Sequence, residues 1–266
     1  MLIMLGALLL STPLYAAQLN LELGENSRTW QTEQLLEHPQ AQTITIPNDV
    51  SYKRDMSYRA VPLAVLLTGV KPEDHLQAVA LDGFAAELSA APLLNTQGAR
   101  AWLAIEDPAK PWPPLSEGKH SAGPFYLVWT DPQAGKISPE QWPFEVASIK
   151  RMAPVAERFP ALLPDPALKA DDPVNRGFAL FQKNCLACHR LNGAGDSQFG
   201  PDLNIPYNPT EYFGADFLKR YIRDPQSLRR WPQAKMPGFC AEVLPDEELA
   251  MLVGYLKHMA GRKIQP

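Results

Sequence analysis

Five consecutive residues, Cys185-Leu186-Ala187-Cys188-His189, carry the most specific chemistry in the chain. Two thiols three positions apart can each add across a porphyrin vinyl group, and the adjoining imidazole can then ligate the iron. C-x-x-C-H is the attachment signature of c-type haem. A thioredoxin-like dithiol and half of a zinc site use the same thiol spacing. A zinc ribbon needs a second ligand pair, and the chain has only three cysteines, Cys240 being the third. A redox dithiol calls for a βαβ setting, whereas this motif closes a stretch with Val174, Phe178 and Phe181 on one helical face. The residues favour haem.

The elements around the motif read as helical. Phe217, Tyr221 and Ile222 mark a second helix stopped by Pro225, and Leu249, Leu252, Val253 and Leu256 share one face of a last helix. Pro245 and the acidic Asp246, Glu247 and Glu248 suit the start of that helix, and Lys257 and His258 suit its end. Upstream lie short β-type runs broken by Gly, Pro and Asp: Gln77–Leu81, Phe84–Leu88, Ala101–Ile105, Phe125–Thr130 and Phe144–Ile149. Leu19, Leu21 and Leu23 alternate with polar residues, as do Ile44 and Ile46, and brief helices are expected at Thr32–Glu37 and Pro62–Leu67. Trp30, Trp102, Trp129 and Trp142 read as core, and His38, His75 and His120 as solvated.

These readings make two domains, α+β over 17–150 and all-α over 171–266. Residues 17–150 hold 10 Lys and Arg against 16 Asp and Glu, while 151–266 hold 15 against 13. Between them, 151–170 is rich in the chain's 27 prolines and is expected to be an extended, semi-rigid spacer. A net charge of −4 gives no basic footprint for nucleic acid. Residues 1–16 open with the apolar run MLIMLGALLL and end in small residues at Ala16, the pattern of a secretory signal peptide without a basic front. Cleavage near Ala16 predicts a periplasmic protein with no membrane span in the mature chain.

From Asp171 onward the chain resembles a class I cytochrome c. Gly177, Phe181 and Tyr255 match the positions where that family's first and last helices cross, and Gly200-Pro201-Asp202-Leu203 matches its loop after the haem motif. The resemblance implies one covalent haem c, thioethers at Cys185 and Cys188, His189 on the iron, and the Pro201 carbonyl fixing the tautomer of His189. It implies Met236, within Lys235-Met236-Pro237-Gly238, as the second axial ligand, with His258 as rival; Met251 and Met259 read as core. Cys240 is left without a partner and is expected as a buried free thiol, with an intermolecular disulfide or sensor thiol as the alternative.

Residues near 40 to 150 are similar to the molybdopterin-binding domain of the sulfite-oxidase type. Val61-Pro62-Leu63 with Leu66-Leu67, Asp82-Gly83-Phe84, Ala101-Trp102-Leu103-Ala104 and Gly123-Pro124-Phe125-Tyr126-Leu127-Val128 carry the likeness. The metal-ligating cysteine of that family has no counterpart, since Pro47 to Ala60 contains none. Lys53, Arg54 and Arg59, mixed with Asp49 and Asp55, read as a surface charge mix. A domain that kept the fold without molybdenum, used for docking or ligand binding, is therefore expected. The whole reads as a periplasmic electron carrier serving redox partner proteins. A haem enzyme or gas binder with an open sixth site, and an electron-transfer subunit of a molybdenum oxidoreductase complex, are the alternatives.

Overall fold

The computed structural model describes residues 17–231 and 233–264, so the expected signal segment lies outside the described residues. The N-terminal domain is built on two sheets. Strands β1 (Gln18–Glu22), β2 (Arg28–Gln31), β5 (His75–Ala80), β6 (Ala85–Ser89) and β9 (Val146–Met152) form one, in the order β2-β1-β9-β5-β6. Strands β3 (Gln42–Ile46), β4 (Met56–Pro62), β7 (Arg100–Ile105) and β8 (Phe125–Thr130) form the other, in the order β3-β4-β7-β8. All pairings are antiparallel except β1 with β9, which brings the first and last strands of the domain side by side. The three one-turn helices are α1 (Thr32–Leu36), α2 (Leu63–Leu66) and α3 (Ala90–Leu93).

Alternation explains β1, where Leu19 and Leu21 turn inward and their neighbours face solvent. Strand β8 is buried along nearly its whole length although it ends its sheet. Its free edge is covered by the 139–143 segment: Leu127 N–H donates to the Pro143 carbonyl, and the Trp129 indole N–H to the Gln141 carbonyl at 2.8 Å. All four of the tryptophans assigned to the core are buried. Pro62, expected to open a helix over Pro62–Leu67, instead ends β4, and only Leu63–Leu66 turns helical.

Two further expectations are corrected. Asp49 is not a surface charge. It is buried and accepts from the Ser51 and Tyr52 N–H groups and from the Tyr58 and Tyr126 hydroxyls. His75 is not solvated, because its Nε2 pairs with the buried carboxylate of Glu87.

The expected spacer is not extended either. It carries α4 (Val155–Arg158) and a 3-10 turn at Pro160–Leu162, and Val155 and Leu162 sit in the core of the helical domain. Proline fixes φ, but values near −65° also suit the first turn of a helix, and burial of Val155 and Leu162 decides between the two. The helical domain contains α5 (Pro173–Asn184), α6 (Pro209–Tyr212), α7 (Ala215–Arg223), α8 (Pro225–Leu228) and α9 (Asp246–Ala260). Helices α5 and α9 cross at Gly177, where a β-carbon would press on the Met251 carbonyl oxygen and lie 2.6 Å from Tyr255 Cβ. Phe178 and Phe181 pack on the Tyr255 ring, and the Tyr255 hydroxyl donates to the Leu162 carbonyl at 2.7 Å. Among the described residues, no helix is long and apolar enough to cross a membrane.

The domains meet through charge. Arg158 reaches Glu87 at 2.6 Å and Asp196 at 2.8 Å, and Gln77 Nε2 donates to both carboxylates. Burial pushes the Glu87 carboxyl up, but the bonds from His75 and Arg158 more than offset this and hold it below the usual range.

Candidate haem site

The C-x-x-C-H motif begins where α5 stops, with Cys185 as its C-cap and His189 N–H returning to the Cys185 carbonyl. This tight turn presents Cys185, Cys188 and His189 to one cavity of about 520 Å³. Leu218 and Ile222 from α7, Leu252 and Leu256 from α9, and Tyr212, Phe213 and Tyr221 supply mostly apolar walls. Met236 lines the same cavity from the loop before α9. The thiols are not bonded to each other.

The imidazole is oriented by the following loop. His189 Nδ1 lies 2.8 Å from the Pro201 carbonyl oxygen, which makes Nδ1 the protonated nitrogen and leaves the Nε2 lone pair available. Among the described residues no hydrogen bond engages Nε2. Gly200 lets the backbone pass across the ring, since a β-carbon there would stand 2.6 Å from Nδ1. Asp202 ties the loop together by accepting from the N–H groups of Asn192, Gly193, Asn204 and Ile205. Burial lowers the His189 pKa, partly countered by the Pro201 bond and by Asp202, so the ring is neutral and fit to ligate a metal.

Electrostatics argue against a reactive dithiol. Burial, then the nearby Glu140 carboxylate, push the Cys185 thiol far upward, and the same causes raise Cys188 to about 12. A thioredoxin-like pair needs a lowered thiol pKa. Half-buried protonated thiols and a neutral imidazole, facing an apolar space, fit a porphyrin bound through two thioethers.

Four further residues build the site without a signal in the sequence. Arg223, at the end of α7, donates to the Phe239 carbonyl at 2.8 Å, to the Leu244 carbonyl, and to Asp246 at 2.6 Å, which fastens the segment following Met236. Asn204 donates to the Asn192 side chain and the Met259 carbonyl, and Asn208 to the Asn204 side chain and the Leu256 carbonyl; these contacts satisfy the end of α9. Glu140 comes from the other domain, with Oε2 3.7 Å from Cys188 Sγ. His258 does not line the cavity; its Nε2 accepts from Asp165 N–H at 3.0 Å. Cys240, expected to be buried, is exposed. Met259 is buried and Met251 packs half-buried on the same core.

The family model for cytochrome c matches residues 174–260. This stretch is a cytochrome c domain. Its helices α5 and α9 are the crossing pair, and its C-x-x-C-H motif faces the cavity. A cytochrome c domain implies haem c and electron transfer through it. No curated protein matches the chain. Among solved structures, the chain is similar to the sulfane dehydrogenase SoxCD from Paracoccus pantotrophus, with 22% identity and a TM-score of 0.37; the match covers 55% of this chain and 40% of that one. The chain thus spans less than half of the length of that relative.

Proposed function

We propose that the protein is a periplasmic one-electron carrier that holds a single haem c through Cys185 and Cys188, with His189 and Met236 as axial ligands. The N-terminal domain, which resembles a molybdopterin-binding fold without the ligating cysteine, serves as a docking or ligand-binding module. One observation carries this reading: two thiols, one imidazole and one thioether all line the same apolar cavity. Bound haem c supplies reversible ferric–ferrous chemistry. Pro201 keeps the His189 lone pair on Nε2. The Arg223 clasp holds the segment after Met236, and the walls from α7 and α9 give the haem an apolar surround. A thioether ligand and an apolar surround both favour the less charged ferrous state, which raises the potential. The expected export signal at 1–16 and the attachment motif point to the same compartment, because haem c is attached outside the cytoplasm.

The test is expression in a maturation-competent host. The denatured polypeptide should stain for haem peroxidase activity, and the ferric protein should show the far-red absorption band of Met ligation. Met236→Ala should abolish that band, lower the midpoint potential and open the site to carbon monoxide. A parent protein that lacks the band and binds carbon monoxide rapidly would instead be a gas-binding or catalytic haem protein. Stable co-purification with a larger oxidoreductase would make it a complex subunit.

A further inference from the structure

A second cavity, of about 690 Å³, lies between the two domains. Cys188, Phe199 and Lys235 line both it and the haem cavity, so it opens onto the margin of the haem site at one thioether position. Pro237 and Gly238, next to Met236, form another part of its wall. The N-terminal domain contributes the turn at Val50–Lys53, the loop at 115–120 and the stretch 139–145.

Phe84, Trp142, Phe144 and Phe199 bring aromatic rings to the lining. Trp142 is buried, Phe84 and Phe144 are half-buried, and Phe84 meets Phe199 of the other domain edge to face at 6.0 Å. Lys53, Lys119 and Lys235 reach the cavity from three separate segments, and none is in an ion pair among the described residues. Asp82, Glu145 and the buried Glu140 lie on the same lining, with His120. Burial, then the Asp82 carboxylate, push the Glu145 carboxyl up, while His120 pulls it down. This acidic side disfavours a second negative charge on anything bound. A space of this volume at a domain boundary, apolar with a few converging charges, has the make-up of a small-molecule site.

We propose that the interdomain cavity binds a small planar aromatic monoanion, its ring on Trp142 and the Phe84–Phe199 pair and its charge toward the lysines, beside the haem margin at Cys188. Flat rings gain from stacking and edge contacts with these side chains, and three ammonium groups without carboxylate partners supply the attraction for one anionic group. The site depends on the haem reading only for what lies across Cys188.

The experiment is calorimetric titration of the purified holoprotein with 2-naphthoate, and with the neutral 2-naphthamide. Saturable one-to-one binding of naphthoate is expected, with the amide about tenfold weaker. Lys53→Glu and Lys119→Glu are exposed changes away from the haem cavity. Each should weaken naphthoate about tenfold, with unchanged haem spectrum and unfolding temperature. No saturable heat at millimolar probe, equal affinity for acid and amide, or no loss in either variant would overturn the proposal. A pyridine haemochrome spectrum of the same sample reads haem attachment separately, so failure of one reading is distinguishable from failure of the other.

Discussion

The two domains fill their interiors in opposite ways. In the N-terminal domain the most buried charge, Asp49, accepts from two backbone N–H groups and two tyrosine hydroxyls, and two sheets close over a continuous apolar core. In the cytochrome c domain the helices surround about 520 Å³ of apolar space, into which two thiols, an imidazole and a thioether are directed. A buried polar group without partners is costly, and an apolar wall without contacts loses its packing. One domain is therefore complete as a polypeptide, whereas the other is shaped for a guest.

The largest test of that contrast is Cys185→Ser with Cys188→Ser. Covalent haem should be lost, and with it the cooperative unfolding of the helical domain, while the N-terminal domain keeps its own transition; calorimetry with far-UV and near-UV circular dichroism separates the two. Equal loss in both domains would sink the contrast.

Arg158→Ala comes next. It leaves Glu87 buried with only His75 and Gln77, and breaking such a buried pair costs about 3–5 kcal/mol. Denaturant unfolding should show this, and proteolysis near residues 153–170 should quicken. Because His75 and Arg158 hold the Glu87 pKa below its unfolded value, this contribution is present above the ordinary glutamate range and is lost as pH falls through the lowered folded value.

Gly177→Ala tests the helix crossing. Overpacking against the Met251 carbonyl and Tyr255 should cost about 1–3 kcal/mol, confined to the transition of the cytochrome c domain.

The smallest effect sharpens the comparison where the domains touch. Burial raises Glu140 to about 7, and the Cys188 thiol is the contact that lowers it. Thioether formation removes that donor. An ionised Glu140 favours ferric iron, so the midpoint potential should fall as pH rises above neutrality, by at most about 59 mV per pH unit for one electron. Glu140→Gln should flatten that slope in a spectroelectrochemical titration. The raised pKa also means that the stability present below the unfolded glutamate value is lost as pH rises through about 7, so the same variant should be the more stable one at alkaline pH.

Local apolar pattern served where it is strong. Strand β8, Phe125–Thr130, lies where its apolar run predicts, as do the helices carrying Phe181 and Leu252. It failed where long-range pairing supplies the order. The short polar strand β2 exists because β1 pairs with it, and β4 extends as far as a proline because β7 takes the register Pro62 with Trp102. Asp49 and His75 looked like surface charges because nothing local announces the tyrosine hydroxyls or the Glu87 carboxylate that fold against them.

The proposed attachment chemistry was legible in five adjacent residues, since thiol spacing and a neighbouring imidazole are local properties of a turn. The two helical faces and the loop glycine at 200 were local as well. Only the tertiary structure decided that residues 151–170 join the helical core, that Arg223 clasps the segment after Met236, and that Glu140 and Trp142 of one domain line a second cavity together with Cys188 of the other. Each of those contacts joins positions far apart in the chain, and their energy comes from burial and charge pairing that no short window of residues can contain.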